Sequence, residues 1–596
     1  MAAGVREAYH QLLREFSDAL LSCAVNASKH PSLDGAVLCP ACGRIHGRCH
    51  EAVYPLLAMA DLSGETKYLE AARRLFTWSG TMVCDDGSLY NDAQNAWNGT
   101  TVFAALSLEK ALRFHGHLLS AQERSVWEER LLGMGLWLLD GIAPEKKHHI
   151  NYIAAGAAAL KRLGLAFSRD DMLRRAKYLA DFALSRVTEE GLIYGEGSLE
   201  RHAGLRGGCA VDICYNAEVT LPALYEYAAA AGDEAALAAV RKAAEAHLEL
   251  MLPDGAWDNS FGTRNFKWTW WGGRTSDGCQ ALFNALGKSD PKFAEAALRN
   301  LELLRRCAHG LLYGGPHYRR HGEEACAHHT FCRMKVLAQA LDEGVAEFER
   351  TSLPSDDAEG VKAYPEIGTV RLVSGGWRMT VCAGDFPYMK GGHASGGALT
   401  LLWHCSYGPV FATANTDFSL REPMNQQLTR RKKLQGCVCP RLELEENGVV
   451  WSQIYDLTAN LTVRHLPDRA EARAEGRLCD MSHQPADGGG NYALIYHLSD
   501  EGLYVCSRVT GGGKAVFRLP VICPADEPIK VSGHSALIGG RIRVTASGPI
   551  AYKGIVFSLA PGFEAADLVV RPGEDGAFSF SVTCGGPAPN GKEARI

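Results

Sequence analysis

Thr351-Ser-Leu-Pro-Ser-Asp-Asp-Ala-Glu-Gly360 divides the chain in two. Its Ser, Asp, Pro and Gly break regular structure and read as a linker. Before it, from residue 5 to about 342, apolar residues recur at helical period in Ala- and Leu-rich stretches. After it, from about residue 366, short β-rich runs alternate with Gly-containing turns. The resulting division is 1–350 for a helical domain, 351–365 for the linker and 366–596 for an antiparallel β-sandwich part.

Working back from the linker, the periodicity predicts helices over 5–25, 47–61, 67–80, 97–113, 121–141, 148–164, 169–187, 213–231, 235–251, 274–287, 291–306 and 325–342. Links after even-numbered helices are short, as in Ala231-Gly-Asp233 and Gly287-Lys-Ser-Asp290. Links before them are mostly long and rich in Gly, Trp, His and Asn. Short and long links in alternation describe αα-hairpins curled into an incomplete (α/α)6-type toroid, with the starts of all even helices at one end. The fold class is therefore multidomain α+β: this toroid, then an antiparallel β-sandwich.

The chemically loaded stretches fall at those starts. Arg44-Ile-His-Gly-Arg48 brings His46 and Arg48 to the second helix, and Trp97-Asn-Gly-Thr-Thr101 brings Trp97 and Asn98 to the fourth. Lys146-Lys-His-His-Ile-Asn-Tyr152 opens the sixth, with His148, Asn151 and Tyr152 on one face of its first turn and His149 beside them. Asp212-Ile-Cys-Tyr-Asn-Ala-Glu218 opens the eighth with Tyr215 and Glu218 one turn apart. Asn259 to Asp277, carrying Arg264, Lys267, Trp268, Trp270, Trp271 and Arg274, leads into the tenth, and His328 and His329 open the last. One rim with aromatic faces beside Arg, Asn and His suits a polysaccharide: sugar rings stack on the aromatics, and hydroxyls and carboxylates take the polar groups.

The bulk numbers narrow the partners. With 596 residues, 46% apolar and 22% charged, the chain is that of a soluble multidomain protein. A net charge of −6 excludes a general nucleic-acid binder, and no run of 18 apolar residues predicts a membrane span. Met1 to Asn26 reads as an amphipathic helix, not a signal peptide. With 19 scattered cysteines this implies a reducing, cytoplasmic compartment, or a periplasmic or secreted one if a signal peptide was removed. The oligomeric state has no sequence signal.

Two places have metal-ligand chemistry. Cys39-Pro-Ala-Cys42 with Cys49 and His50 has partial zinc-site spacing without a second clean pair, and otherwise reads as a buried thiol cluster shaping the loop that delivers His46 and Arg48. Gly391 to Asp417 reads as a β-hairpin with its turn between Ser406 and Tyr407. That register puts His393 and Asp417 at the same open end, with His404 at the other. His393 and Asp417 are candidate ligands of one divalent metal (Mn, Zn or Ca), structural in role, with His465 as a third.

At this point the chain resembles the heparinase II/III-like polysaccharide lyases, an (α/α) toroid followed by an antiparallel β-sandwich. The likeness is closest to the broad-specificity members acting on glycosaminoglycans and related uronates. It rests on Asn151, on Asp212-Ile-Cys-Tyr215, on the Asn259–Asp277 stretch and on His393-Ala-Ser-Gly-Gly397, where the family often carries a structural metal. One departure stands out. The family often has a His-x-His pair at that hairpin with the first His catalytic, and here Gly391 takes its place. The catalytic His must then be among His148, His149, His328 and His329.

The implied reaction is β-elimination at a 4-linked uronate of heparan, chondroitin, hyaluronan or alginate type. Asn151 and a neighbouring His stabilise the charge that grows on the C5 carboxylate. Tyr215 is the acid for the leaving O4 and the base where both protons lie on one face; His148, His328 or His329 is the base for the opposite epimer. A phenol with an ordinary pKa near 10 serves as base only beside cations. His46, Arg48, Trp97, Asn98, His149, Glu218, Arg264, Lys267 and Trp270 are the expected substrate contacts. Two alternatives remain: a glycoside hydrolase, which would draw a carboxylate pair from Glu218, Asp258 and Asp277, or a carbohydrate-binding protein without turnover.

Overall fold

The structure is a computed structural model and describes residues 2–25, 31–91, 97–388, 392–414, 436–486, 490–511 and 515–585. Its helical part runs α1 (Ala2–Ser22), α2 (Val53–Ser63), α3 (Thr66–Ser79), α4 (Thr101–His115), α5 (Ala121–Gly141), α6 (Ile150–Ala166) and α7 (Asp170–Leu184). It continues through α8 (Ile213–Tyr215), α9 (Leu221–Ala231), α10 (Glu234–Leu248), α11 (Gln280–Gly287), α12 (Pro291–Arg306), α13 (Tyr318–His321) and α14 (Ala327–Glu343). The predicted αα-hairpins are present: α2 packs on α3, α4 on α5, α6 on α7, α9 on α10 and α11 on α12, and α14 returns to α1 and α2.

Local chemistry explains the joints. Ser120 and Glu123 form a reciprocal capping box at the start of α5. Gly64 and Gly232, both in the left-handed region, end α2 and α9 where a side chain would be strained. The predicted eighth helix is interrupted by a π turn over Asn216–Thr220. Pro222 has no N–H to give the Glu218 carbonyl, and that carbonyl accepts instead from Gly278 N–H at 3.3 Å. The wider turn follows directly after Tyr215.

The β part contains three antiparallel sheets among the described residues. The first orders Gly408–Ala412, Ala398–His404, Trp377–Cys382, Thr369–Ser374 and Gly360–Tyr364. His404 pairs with Gly408 across the expected hairpin turn. The first of these strands in the chain begins at Gly360, inside the stretch read as linker, so the linker is shorter than 351–365. The second sheet has five strands and the third eight. Leu372, Trp377, Leu494, Phe517, Leu568 and Phe580, from all three sheets, share one buried core.

Strands Asn460–Leu466 and Arg469–Arg477 went unread in the sequence because Ala, Arg and Glu have low β preference. Ala470, Ala472 and Ala474 nevertheless point inward and the charged residues outward.

The first sheet lies on the toroid. Cys382, Leu401, Trp403 and Ala412 join the helical core, as do Ile522 and Phe563. Trp270 meets Phe563 edge-on with ring centres 5.2 Å apart. Asp258 accepts from Ser260 at 2.7 Å and from Thr380, and Ser260 donates to Thr400 at 2.9 Å. Arg206, from the long link between α7 and α8, donates to the Ala383 and Ala459 carbonyls at 2.5 and 2.6 Å. No helix among the described residues is long and apolar enough to cross a membrane.

Candidate active site

The starts of α2, α4, α6, α8, α11 and α14 meet, as the alternating links require. Side chains at the starts of α2, α4, α6 and α8, with those of the links beside them, form a continuous network. Arg264 lies with its guanidinium carbon 4.2 Å from the centre of the Tyr215 ring, and Lys267 Nζ lies 6.0 Å from the same centre. Arg264 donates to Glu196 at 3.3 Å. Glu196 also accepts from the Asn151 backbone N–H at 3.1 Å and pairs with His149 Nδ1 at 3.3 Å. The Tyr215 hydroxyl bonds to Thr275, whose carbonyl accepts from Arg48 at 3.2 Å. Arg48 lies over Phe103, Phe103 packs on Tyr152, and Tyr152 meets Trp97 edge-on.

Each group is positioned by local structure. His149 precedes α6 in extended conformation, so Asn151 sits in its first turn. Gly195 and Gly197 hold left-handed backbone on either side of Glu196; a Cβ on Gly195 would lie 2.7 Å from Ile150, so only glycine lets the carboxylate approach α6. Asp212 caps α8 by accepting from Tyr215 N–H at 3.1 Å. It also accepts from Arg264 N–H at 2.9 Å and Asn259 Nδ2 at 3.2 Å, and burial pushes it up to about 6. Burial alone would raise Glu196, but His149 and Arg264 outweigh it and hold the carboxyl below its ordinary value. Glu196 is therefore an anion at neutral pH. The Asn151 amide is almost wholly buried, and its Oδ1 has no hydrogen-bond partner.

Three residues of this network were not read from the sequence. Glu196 lies in a link where nothing distinguished it, and Thr275 lies in the Asn259–Asp277 stretch without having been singled out there. Tyr388 comes from the β part: its hydroxyl stands 3.5 Å from His149 Nε2, and its ring stacks on Phe266.

Other predicted contacts lie elsewhere. Trp270 is completely buried, and its indole N–H is used by Asp254 at 2.7 Å, so it is a core residue and no sugar platform. Trp268 and Trp271 are equally buried. Trp97, 42% exposed, is the one tryptophan of the predicted rim that offers a face. Its ring stands 5.5 Å from that of His148, whose Nδ1 is tied to the Ala143 backbone and whose pKa burial lowers. Asn98 donates to Ser88 at 3.2 Å.

Glu218 faces inward and accepts from Gly273 N–H, Ser276 and Arg333 at 2.8, 2.5 and 2.8 Å; it is a brace, not a substrate contact. Since Asp258 is likewise taken, and Lys335 pairs with Asp277 at 2.7 Å, the carboxylates a hydrolase would need are engaged in structure. His328 stacks on Phe331 and stands 5.2 Å from His46, while His329 meets Trp271 edge-on. Burial depresses both imidazoles well below the ordinary value. They belong to the wall formed by α14, apart from the Tyr215–Glu196–Asn151 network.

The geometry separates His465 from His393, so His465 is not the third ligand of the expected hairpin metal. His465 is exposed on strand Asn460–Leu466, beside Gly360 at one end of strand Gly360–Tyr364. His393 lies beside Gly384, past the other end of that strand, where Tyr364 pairs with Thr369 and Thr369 with Cys382. Four residues of strand place the two ends about 13 Å apart, whereas ligands of one ion bind it at about 2 Å. Asp417 lies outside the described residues.

Comparison with known proteins gives the family and the fold. Residues 13–356 match the family model "Ulvan lyase N-terminal domain" and residues 361–584 match "Ulvan lyase C-terminal domain". The chain is 35% identical over 580 residues to a broad-specificity ulvan lyase of Formosa agariphila, covering 94% of this chain and 90% of that protein. The fold is similar to Streptomyces coelicolor A3 chondroitin AC lyase in complex with chondroitin sulphate (TM-score 0.55, 10% identity, 98% of this chain and 83% of that one). A further similar structure is a mutant of the heparan sulfate lyase HepC of Pedobacter heparinus (TM-score 0.48, 11% identity, 97% and 84%). The chain belongs to the ulvan lyase family and is a polysaccharide lyase.

Proposed function

We propose that this lyase cleaves ulvan by β-elimination at a 4-linked uronate, with Tyr215 as the proton donor to the leaving O4. Asn151 and Arg264 receive the substrate's C5 carboxylate. His149 takes the C5 proton, the C5–H electron pair forms the C4–C5 double bond, the C4–O4 bond breaks, and O4 takes a proton from Tyr215. Charge grows on the carboxylate as C5–H breaks, so donors already aimed at it lower the barrier. Lys267 and Arg264 beside the phenol ring offset the negative charge left on the Tyr215 oxygen.

The observation that carries this reading is the chain of contacts from Tyr215 through Arg264 and Glu196 to Asn151. It joins an acid, a cation and a buried amide in one enclosed place, as elimination at an acidic sugar needs; the amide NH2 is the donor to the carboxylate. His149 is our choice of base for the opposite epimer: Glu196 orients its ring as an orienting group does for a general base. Trp97 stacks a neighbouring sugar and Arg48 supports the far side. The free state of every cysteine among those described suits a reducing compartment.

The test is ultraviolet absorbance during incubation with ulvan, and with heparan, chondroitin sulfate, hyaluronan and alginate alongside. A rise with ulvan that Tyr215→Phe abolishes supports the proposal. A rise only with another polymer overturns the substrate, and new reducing ends without absorbance overturn the mechanism.

A further inference from the structure

We propose that Cys39, Cys42, His46 and Cys326 bind one zinc ion, which ties the first helical hairpin of the toroid to its last helix. The ligand atoms of Cys39, Cys42 and His46 all lie within 4.8 Å of one another. Cys42 Sγ stands 3.2 Å from His46 Nε2, and Cys39 Sγ stands 3.6 Å from Cys326 Sγ. A tetrahedral zinc with Zn–S bonds of about 2.3 Å and a Zn–N bond of about 2.0 Å separates its ligands by about 3.5 to 3.8 Å. The Cys39–Cys326 pair has that spacing, and the Cys42–His46 pair is a few tenths of an ångström closer. The two sulfurs at 3.6 Å are far beyond the about 2.05 Å of a disulfide.

The backbone is built to hold such a set. Cys39 closes the strand Leu38–Cys39, which pairs with Arg44–Ile45. The turn between them is drawn tight by Gly43 N–H donating to the Cys39 carbonyl at 2.8 Å, with Gly43 in the left-handed region. This brings the two cysteines of Cys39-Pro-Ala-Cys42 to one side. His46 follows directly, and the side chains of Cys39, His46 and Cys326 are buried. Cys326 is the residue before α14, and its N–H is fixed by the Leu312 carbonyl at 3.0 Å. Three thiolates and an imidazole select zinc over the hard, oxygen-seeking cations.

The sequence pointed to Cys49 and His50 as partners of this pair, and the structure assigns them elsewhere. Cys49 Sγ donates to the His46 carbonyl at 2.6 Å, and His50 Nδ1 bonds to Ser79 at 2.8 Å. Cys326, 287 residues from Cys39, is the fourth ligand proposed: its Sγ stands 3.6 Å from Cys39 Sγ, just outside the Cys39–Cys42–His46 group, and would draw in on the ion. A second group, Glu51, Asp277 and Cys332, has comparable spacing. There Arg48 and Lys335 already bridge the carboxylates, so protein cations stand where an ion would.

The ion would make His46 a metal ligand instead of a substrate contact. It would also set the wall of the site: Arg48 follows His46 by two residues, and His328 follows Cys326 by two. Its role is structural, because it touches no reacting group.

The experiment is elemental analysis of the full chain, purified under reducing conditions without chelator. One zinc per chain is expected in the wild type and in Cys405→Ser, which changes an exposed thiol outside the set, and none in Cys42→Ser or Cys326→Ser. Because those variants also weaken the fold, the wild type is examined separately with cobalt(II) in place of zinc. Three thiolates give an intense sulfur-to-cobalt charge-transfer band and tetrahedral ligand-field bands. A folded wild type without metal, a metal that Cys42→Ser and Cys326→Ser retain, or a cobalt spectrum without the thiolate band would each overturn the proposal.

Discussion

Arg264 covers the face of the Tyr215 ring at 4.2 Å while its guanidinium also reaches Glu196 at 3.3 Å. The phenol therefore sits against a cation that is itself anchored. Tyr215→Phe removes the hydroxyl and leaves that packing. Elimination measured by ultraviolet absorbance should fall by about 10²- to 10⁴-fold in kcat. Affinity for ulvan, measured by calorimetry, should stay within a few-fold. A variant that keeps its rate would remove Tyr215 from the mechanism.

Asn151 is buried with an amide oxygen that the protein does not satisfy. That oxygen loses no internal bond when Asn151 is replaced, and the NH2 that donates to the substrate carboxylate goes with it. Asn151→Ala should keep the melting temperature within a few degrees yet lose about 10²- to 10³-fold in kcat, the usual cost of one donor to a developing oxyanion. Equal losses of stability and rate would show a structural residue.

Glu196 holds Arg264, His149 and the Asn151 backbone together. Burial by itself would raise this carboxyl, but the His149 hydrogen bond and the Arg264 guanidinium keep it below the ordinary 4.5. The native state thus keeps Glu196 ionised where the unfolded chain protonates it. That stabilisation is complete above about pH 4.5 and fades as pH falls. Glu196→Gln removes the buried carboxylate that Arg264 and His149 share and should cost about 3–5 kcal/mol at neutral pH. Urea midpoints from pH 7 downward should show the two proteins converging in acid. A constant gap across that range would contradict the assignment.

Two tryptophans of similar sequence setting should respond differently. Trp97 is largely exposed beside His148 and Tyr152, and Trp270 is buried with its N–H on Asp254. Trp97→Ala should raise KM by about 3- to 10-fold, the worth of one stacking contact, with melting unchanged. Trp270→Ala should cost about 3–5 kcal/mol of stability. Paired melting curves and Michaelis plots separate the two, and a KM effect in a fully stable Trp270→Ala would reverse this reading.

Local periodicity, which depends on residues a few places apart, was enough to determine the helical domain, the β domain and the change between them. Link length was enough to determine that Arg48, Asn151, Tyr215 and His328 share one end of the toroid, because antiparallel neighbours leave no other arrangement. What tertiary structure alone decided is which way side chains face and which distant residues meet. Trp270 and Trp97 both stand in polar, aromatic links, and only the sheet packed on the toroid buries the first. Glu218 is an acid one turn from Tyr215, and only the position of Arg333 turns it inward. Glu196 and Cys326 carry no local signal; each acquires its role from partners dozens to hundreds of residues away. Periodicity is a property of neighbours along the chain, whereas a site is made of contacts that exist only once the chain has closed on itself.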